Sequence, residues 1–256
     1  MNSFQTTNYA GRKVWYGLGF VWLIWAILMA FMGLWHLAVA TSAVFAFGLI
    51  DDLFGTGEEK GFKGHLTAAS KGRITTGFAK LIGISVISLI YALTSSSFVN
   101  TYDGIALIGI AHLAGAAIAL TSNFLNLMDL RPGRAAKVYL FLILASTLIA
   151  AIAPHNSYSL PPSIVTFVIL FALPILTVIV PDLRERAMLG DAGANAAGFV
   201  AGVFAVSVMP HWAIAIYVVI MLYLNLASEK ISYSSLIENN SLLKKLDNIG
   251  RLNNGE

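Results

Sequence analysis

The sequence predicts an all-α polytopic membrane protein of about eight transmembrane helices, with a cytoplasmic cleft and both termini in the cytoplasm. Three observations predict it. Of 256 residues, 57% are hydrophobic and only 11% charged, with mean hydropathy +0.76, whereas a soluble domain carries about 25% charged residues. Eight apolar stretches approach the roughly 20 residues that cross about 30 Å of hydrocarbon. The basic residues gather in alternate loops, as the positive-inside rule requires.

The expected spans are 14–31, 35–50, 74–93, 104–122, 135–153, 163–180, 194–209 and 212–227. The second, seventh and eighth are short and need a thin bilayer or extension into flanking polar residues. Arg12 and Lys13 before the first span suggest a signal peptide, but the apolar run exceeds a typical h-region and a second span follows almost at once. Segments 32–34, 94–103, 154–162 and 210–211 hold no Lys or Arg, so all 16 basic residues fall on the opposite side, Lys80 within two turns of it. Of the 13 acids, only Asp103 lies on the outer side. The chain reads as one transmembrane domain, 1–227, followed by a cytoplasmic amphipathic tail, 228–256. In the tail Leu236, Ile237, Leu242, Leu243, Leu246, Ile249 and Leu252 recur at helical spacing, and Ser235 with Glu238 has the form of a capping box. Lys244 and Lys245 would face anionic headgroups; a solvated, partly ordered tail fits the same residues. No cysteine is present, which excludes disulfides, thiolate metal sites and thiol nucleophiles. A net charge of +3 gives no reason to expect nucleic acid.

Three cytoplasmic segments carry acids or amides at span ends. Gly48-Leu49-Ile50-Asp51-Asp52 closes the second span. Adjacent carboxylates there repel each other and lose hydration unless a cation offsets them, and Mg²⁺ with phosphate oxygens suits carboxylate ligands. Charged residues also simply mark where a helix leaves lipid. Asn123, Asn126 and Asp129 follow the fourth span at spacings that share a broad helix face, although Asn and Asp are equally common in caps and turns. Arg131 and Arg134 flank a Pro132-Gly133 turn, available for phosphate or headgroups. Leu189-Gly190-Asp191-Ala192-Gly193-Ala194-Asn195 enters the seventh span, putting Asp191 where backbone N–H groups and the positive dipole end favour anions; an N-cap reading covers the same residue. Three acid-bearing motifs on one side of the membrane suit transfer of a phosphoryl group from a soluble donor to a lipid phosphate.

These motifs, in this order and at helix ends, resemble the polyprenyl-phosphate N-acetylhexosamine-1-phosphate transferases. That superfamily includes phospho-N-acetylmuramoyl-pentapeptide transferase and the undecaprenyl-phosphate GlcNAc-1-phosphate transferases. The resemblance covers about 35–227. It implies a multi-pass enzyme of the cell membrane, with its active site facing the cytoplasm, that moves a sugar 1-phosphate from a UDP-sugar to undecaprenyl phosphate and releases UMP in envelope glycan synthesis. The implied cofactor is Mg²⁺, with Mn²⁺ as a substitute. The implied partners are undecaprenyl phosphate, a UDP-sugar and the bilayer, with a second copy of the chain as a candidate. By the resemblance Asp191 looks like the metal ligand, and Asp51 and Asp52 like the catalytic pair on the lipid phosphate. Asn123, Asn126 and Asp129 look like the nucleotide-side segment, and Lys80 matches a family lysine.

The chain departs from that pattern in three ways. Family members usually have about ten helices. The family's Asp-Gly-Leu-Asp-Gly continuation reads Asp129-Leu130-Arg131-Pro132-Gly133 here, and its histidine-rich loop is missing. His36, His112, His155 and His211 fall in spans or on the outer side, and only His65 lies inside. Arginine binds phosphate well but cannot accept from a uracil N–H, so Arg131 and Arg134 are expected to shift recognition from the base toward phosphate, or else to anchor the loop to headgroups. A catalytically silent relative that binds polyprenyl phosphate or an envelope-assembly partner is the alternative. A transporter would need ionisable residues in mid-span, and there are almost none beyond Lys80 and His112.

Overall fold

The computed structural model describes residues 5–7, 11, 13–55, 61–95, 103–153 and 164–251. Arg12, Lys60 and His155, the side chains of Lys63 and His65, and most of the two loops expected outside, 94–103 and 154–162, lie outside the described residues.

A short hairpin, β1 (Gln5–Thr7) with β2 (Lys13–Trp15), precedes a 3₁₀ turn at Leu18–Phe20. Among the described residues eleven helices follow: α1 Val21–Phe31, α2 Trp35–Phe54, α3 Gly61–Ser70, α4 Thr76–Thr94, α5 Gly104–Met128, α6 Arg134–Ile152, α7 Ile164–Leu183, α8 Gly190–Val208, α9 His211–Ala227, α10 Tyr233–Asn239 and α11 Ser241–Asn248. Six of them, α2 and α4 to α8, are long and apolar enough to cross a membrane. The chain is thus an all-α polytopic membrane protein. The other two expected spans are shorter apolar helices, Leu18–Phe31 and α9. The first span was expected over 14–31, but Lys13–Trp15 is strand instead. The strand is held by its pairing with β1, and the Met188 N–H, which donates to Trp15 O at 2.8 Å, ties the N-terminal segment to the chain just before α8.

Helix α8 is the centre. It reads Gly-Asp-Ala-Gly-Ala-Asn-Ala-Ala-Gly, and from Ala192 to Val206 every residue is buried. Lipid tails are as apolar as leucine, so membrane helices gain little from hydrophobicity alone and pack where small residues let backbones approach. A Cβ on Gly198 would lie 2.5 Å from Ser122 Cα on α5, and one on Gly202 would lie 2.7 Å from Ile118 Cα. Gly48 on α2 meets Ala192 in the same way, at 2.5 Å from its Cα. Large apolar side chains such as Ile27, Phe31, Ile90, Phe141, Leu148 and Val219 point outward, as a lipid-facing surface does.

Helix α7 contains Pro174 and Pro181. Proline has no N–H to give the carbonyl four residues back, and unpaired backbone is costly in hydrocarbon. The freed Leu170 carbonyl accepts the Trp25 indole N–H at 2.9 Å, and the next one, Phe171 O, accepts the Tyr139 hydroxyl at 2.7 Å.

The tail differs from expectation in detail. It forms two short helices, and Ser232, not Ser235, caps the first, with its hydroxyl accepting from Ser235 N. Asn240 interrupts the run and caps α11, accepting from Leu242 N and Leu243 N. Leu242, Leu246 and Ile249 are exposed.

Candidate functional site

Helix α4 begins at an N-cap, Thr75, whose Oγ1 accepts the Phe78 N–H at 3.1 Å. Thr76 and Lys80 then stand four residues apart on one helix face. Both reach Asp51 at the end of α2, Thr76 through its side chain and Lys80 with Nζ 2.6 Å from Oδ2. The same ammonium lies 2.5 Å from Asp191 Oδ2 in the first turn of α8. The Lys80 side chain is 10% exposed, against 37% for Asp191, so the lysine is the inner member and Asp191 opens toward solvent.

Asp52 has a different task. Its Oδ1 accepts the Asp191 N–H at 3.0 Å and its Oδ2 the Ala192 N–H at 2.9 Å. These are first-turn donors that a helix leaves unpaired, so a carboxylate from α2 caps α8 and meets its positive dipole end. The anion position expected at this helix start is therefore filled from within the chain. Gly190 makes the arrangement possible: its φ is +71°, and a Cβ there would sit 3.0 Å from Asp52 Oδ2.

Asp129, the residue closing α5, lies within electrostatic reach of Asp182, Asp191 and Asp52 and accepts a hydrogen bond from the Gly190 backbone. Burial first, and then those three negative neighbours, hold its carboxyl well above the usual carboxylate range. Asp182 accepts the Gly133 N–H at 3.1 Å, which holds the 129–133 turn against α7.

A cavity of about 460 Å³ opens beside Lys80, between α4, α5, α8 and α9. Its wall includes Asn123, Asn126, Asn195, Asn225 and Glu229. The structure thus brings together Asp51, Asp52, Lys80, Asp129 and Asp191, and lines the adjoining cavity with Asn123 and Asn126. It does not bring Arg131 and Arg134 there. Arg131 Nη2 pairs with Glu238 at 2.5 Å. The Arg134 guanidinium is 3% exposed, donates twice to Asp247 at 2.9 Å, and donates again to Ser234. Tail carboxylates hold both arginines because α10 and α11 fold back over the 129–134 turn.

No family model, curated protein or solved structure matches the chain.

Among the described residues no three His, Asp or Glu side chains form a ready-made metal cage. The donors still suit a hard cation: with Asp52 committed to backbone, the carboxylates of Asp51 and Asp191 remain, both within 2.6 Å of one ammonium. Mg²⁺ is usually held by one or two carboxylates plus water and substrate phosphates, so the residues present fit it.

Three residues in or around the candidate site carry little signal in the sequence. Asn225 is an uncharged amide in the last turn of the apolar α9, and its polarity beside a span end is the available signal. Asp182 follows Pro181 at the end of a span and reads as a boundary charge. Asp247 sits among other tail polar groups and carries no local mark.

Proposed function

We propose that this protein transfers a sugar 1-phosphate from a UDP-sugar to a polyprenyl phosphate such as undecaprenyl phosphate, releasing UMP, at the cytoplasmic face of the cell membrane. One observation carries the reading. Acids from two distant motifs and the intervening lysine, Asp51, Lys80 and Asp191, meet within 2.6 Å at one end of the helical bundle, beside a cavity that Lys80 also lines.

In this reaction an oxygen of the lipid phosphate attacks the phosphorus bearing the sugar. The bond from that phosphorus to the bridging oxygen breaks, and the electron pair leaves with UMP. One diphosphate linkage replaces another, so neither water nor an oxidant is consumed. Asp51 takes the proton of the lipid phosphate when it enters as the monoanion. Lys80 turns from its carboxylate partners toward the phosphate oxygens and offsets their charge. Asp191, the most open of the three, would hold Mg²⁺ or Mn²⁺ together with Asp51. When bound, the ion neutralises diphosphate charge. Asp52 keeps Asp191 in place by capping α8. Eight membrane crossings, counting Leu18–Phe31 and α9, would leave both termini and all these groups in the cytoplasm.

The test uses purified protein in detergent with undecaprenyl phosphate, Mg²⁺ and a panel of UDP-sugars, reading UMP release by chromatography. Release from at least one donor is expected.

A second reading has its own observation. The Lys80 ammonium already stands between Asp51 and Asp191, where a cation would go, and this favours a catalytically silent relative that binds polyprenyl phosphate. Binding of undecaprenyl phosphate with no UMP release from any donor would select it.

A further inference from the structure

The polar wall of the cavity has a direction. Asn225 on α9 places its Nδ2 3.0 Å from Leu120 O and 2.7 Å from Met221 O. Both partners are carbonyls, so the atom facing them must be the amide nitrogen and both of its hydrogens are committed. Asn225 Oδ1 is therefore an acceptor, and the Asn123 atom 2.6 Å away must be the donating Nδ2. The Asn123 amide is thereby oriented, and its carbonyl oxygen is left for the cavity. Asn195, 1% exposed, is set by the same logic: its Nδ2 donates to Asp191 O at 2.7 Å. Ser85 and Ser228 donate their hydroxyl hydrogens to Leu81 O and Asn225 O. Asn126 Oδ1 is enclosed and has no hydrogen-bond partner, and a buried acceptor left unmade is costly. Glu229 adds a carboxylate to the wall. Away from Lys80, the cavity offers acceptors.

We infer that Asn225 is a positioning residue: it fixes Asn123 with the carbonyl oxygen toward the cavity, and the cavity takes the part of a phosphate ligand that carries hydrogen-bond donors. This rests on the reading of the site as a sugar 1-phosphate transferase. Lys80 meets the phosphate at one end, and hydroxyl or N–H groups bind the amide oxygens. Two parts of a nucleotide sugar carry such donors, the sugar and the nucleoside.

Binding to the purified, full-length protein in neutral detergent with Mg²⁺, by calorimetry, tests it with three probes. Pyrophosphate reads the charged end alone, UDP adds the nucleoside, and N-acetylglucosamine 1-phosphate presents the sugar without the base. In Asn225→Ala the Asn123 amide is released to rotate. Affinity for at least one donor-bearing probe should fall roughly 10-fold or more, while pyrophosphate stays within about twofold, a split that general loosening would not produce. Loss with UDP alone assigns the cavity to the nucleoside, and loss with the sugar phosphate alone assigns it to the sugar. Equal affinity of wild type and variant for all three probes overturns the inference. Wild-type protein that binds none of the three overturns the reading of the site, and the inference with it. Should Asn225→Ala not fold, Asn123→Ala removes the acceptor directly and must show the same selective loss.

Discussion

Asp52 caps the helix that begins with Asp191: the Asp191 N–H donates to Asp52 Oδ1 at 3.0 Å. The adjacent aspartates at the end of α2 therefore have different tasks, Asp51 facing the Lys80 ammonium and Asp52 bonding to backbone. Asp52→Asn keeps one acceptor and loses the charge. It should lower stability by about 1–2 kcal/mol, on the scale of a lost cap, and reduce activity only through misplacement of Asp191. Asp51→Asn should remove activity outright, with a smaller stability loss than a Lys80 variant because Lys80 keeps Asp191 as a partner. Thermal unfolding and UMP release, measured on both variants, separate the two roles.

Lys80 neutralises two carboxylates at once. Lys80→Met leaves Asp51 and Asp191 facing each other without a cation, and breaking a buried pair from one side costs about 3–5 kcal/mol. The variant should melt well below wild type in a chelator and recover much of the loss in millimolar Mg²⁺. A Tm for Lys80→Met that does not respond to Mg²⁺ would count against a metal held by these acids.

Asp129 is held above the usual carboxylate range by burial and by the charges of Asp182, Asp191 and Asp52. A raised carboxyl contributes its stability below the ordinary pKa of about 4 and loses it as pH rises through the higher folded value. Asp129→Asn should therefore raise Tm at pH 8 and leave it unchanged near pH 4, while lowering UMP release. An unchanged Tm at pH 8 would mean the carboxylate is not destabilising there.

Gly48 lets α2 touch α8. A Cβ in Gly48→Ala would stand 2.5 Å from Ala192 Cα and 2.6 Å from Asp191 O, and overpacking of this kind costs about 1–3 kcal/mol. Gly109, with nothing within 4 Å of its added Cβ, is the control. Gly48→Ala should lower both Tm and activity, whereas Gly109→Ala should change neither.

The tail is held by charge. Partial burial raises the Asp247 carboxyl, but the hydrogen bonds and charge of Arg134 outweigh it and bring the group below its ordinary value. A lowered carboxylate gives stability that is present above about pH 4 and lost as pH falls through the folded value. The tail should resist protease from pH 5 to 8 and become cleavable below about pH 4. In Asp247→Asn it should be cleavable throughout.

Composition and charge asymmetry made the membrane class legible, because both follow from the solvent rather than from packing. Asp51, Asp52 and Asp191 were legible as span-end acids, and Lys80 as a rare mid-span charge. Their separate tasks were not, since capping of α8 by a residue 139 positions away leaves no local pattern. The expected first span runs too far toward the N-terminus because Val14, Trp15 and Tyr16 are as apolar as helix residues, and only pairing with Gln5–Thr7 and the bond to Met188 make that segment strand. The arginines of the 129–134 turn read as phosphate binders because their partners, Glu238 and Asp247, are more than 100 residues away.

The Arg134–Asp247 pair also sets a clock. Its members are 113 residues apart, and translation proceeds at about 5–20 residues per second, so on the order of ten seconds separates their synthesis. Asp191, the last acid of the cleft, is made about halfway through that interval, and until the interval ends Arg134 has no Asp247 to receive it. The turn carrying Asp129 is pinned late, once the segments that bear Asp51, Lys80 and Asp191 have all been made.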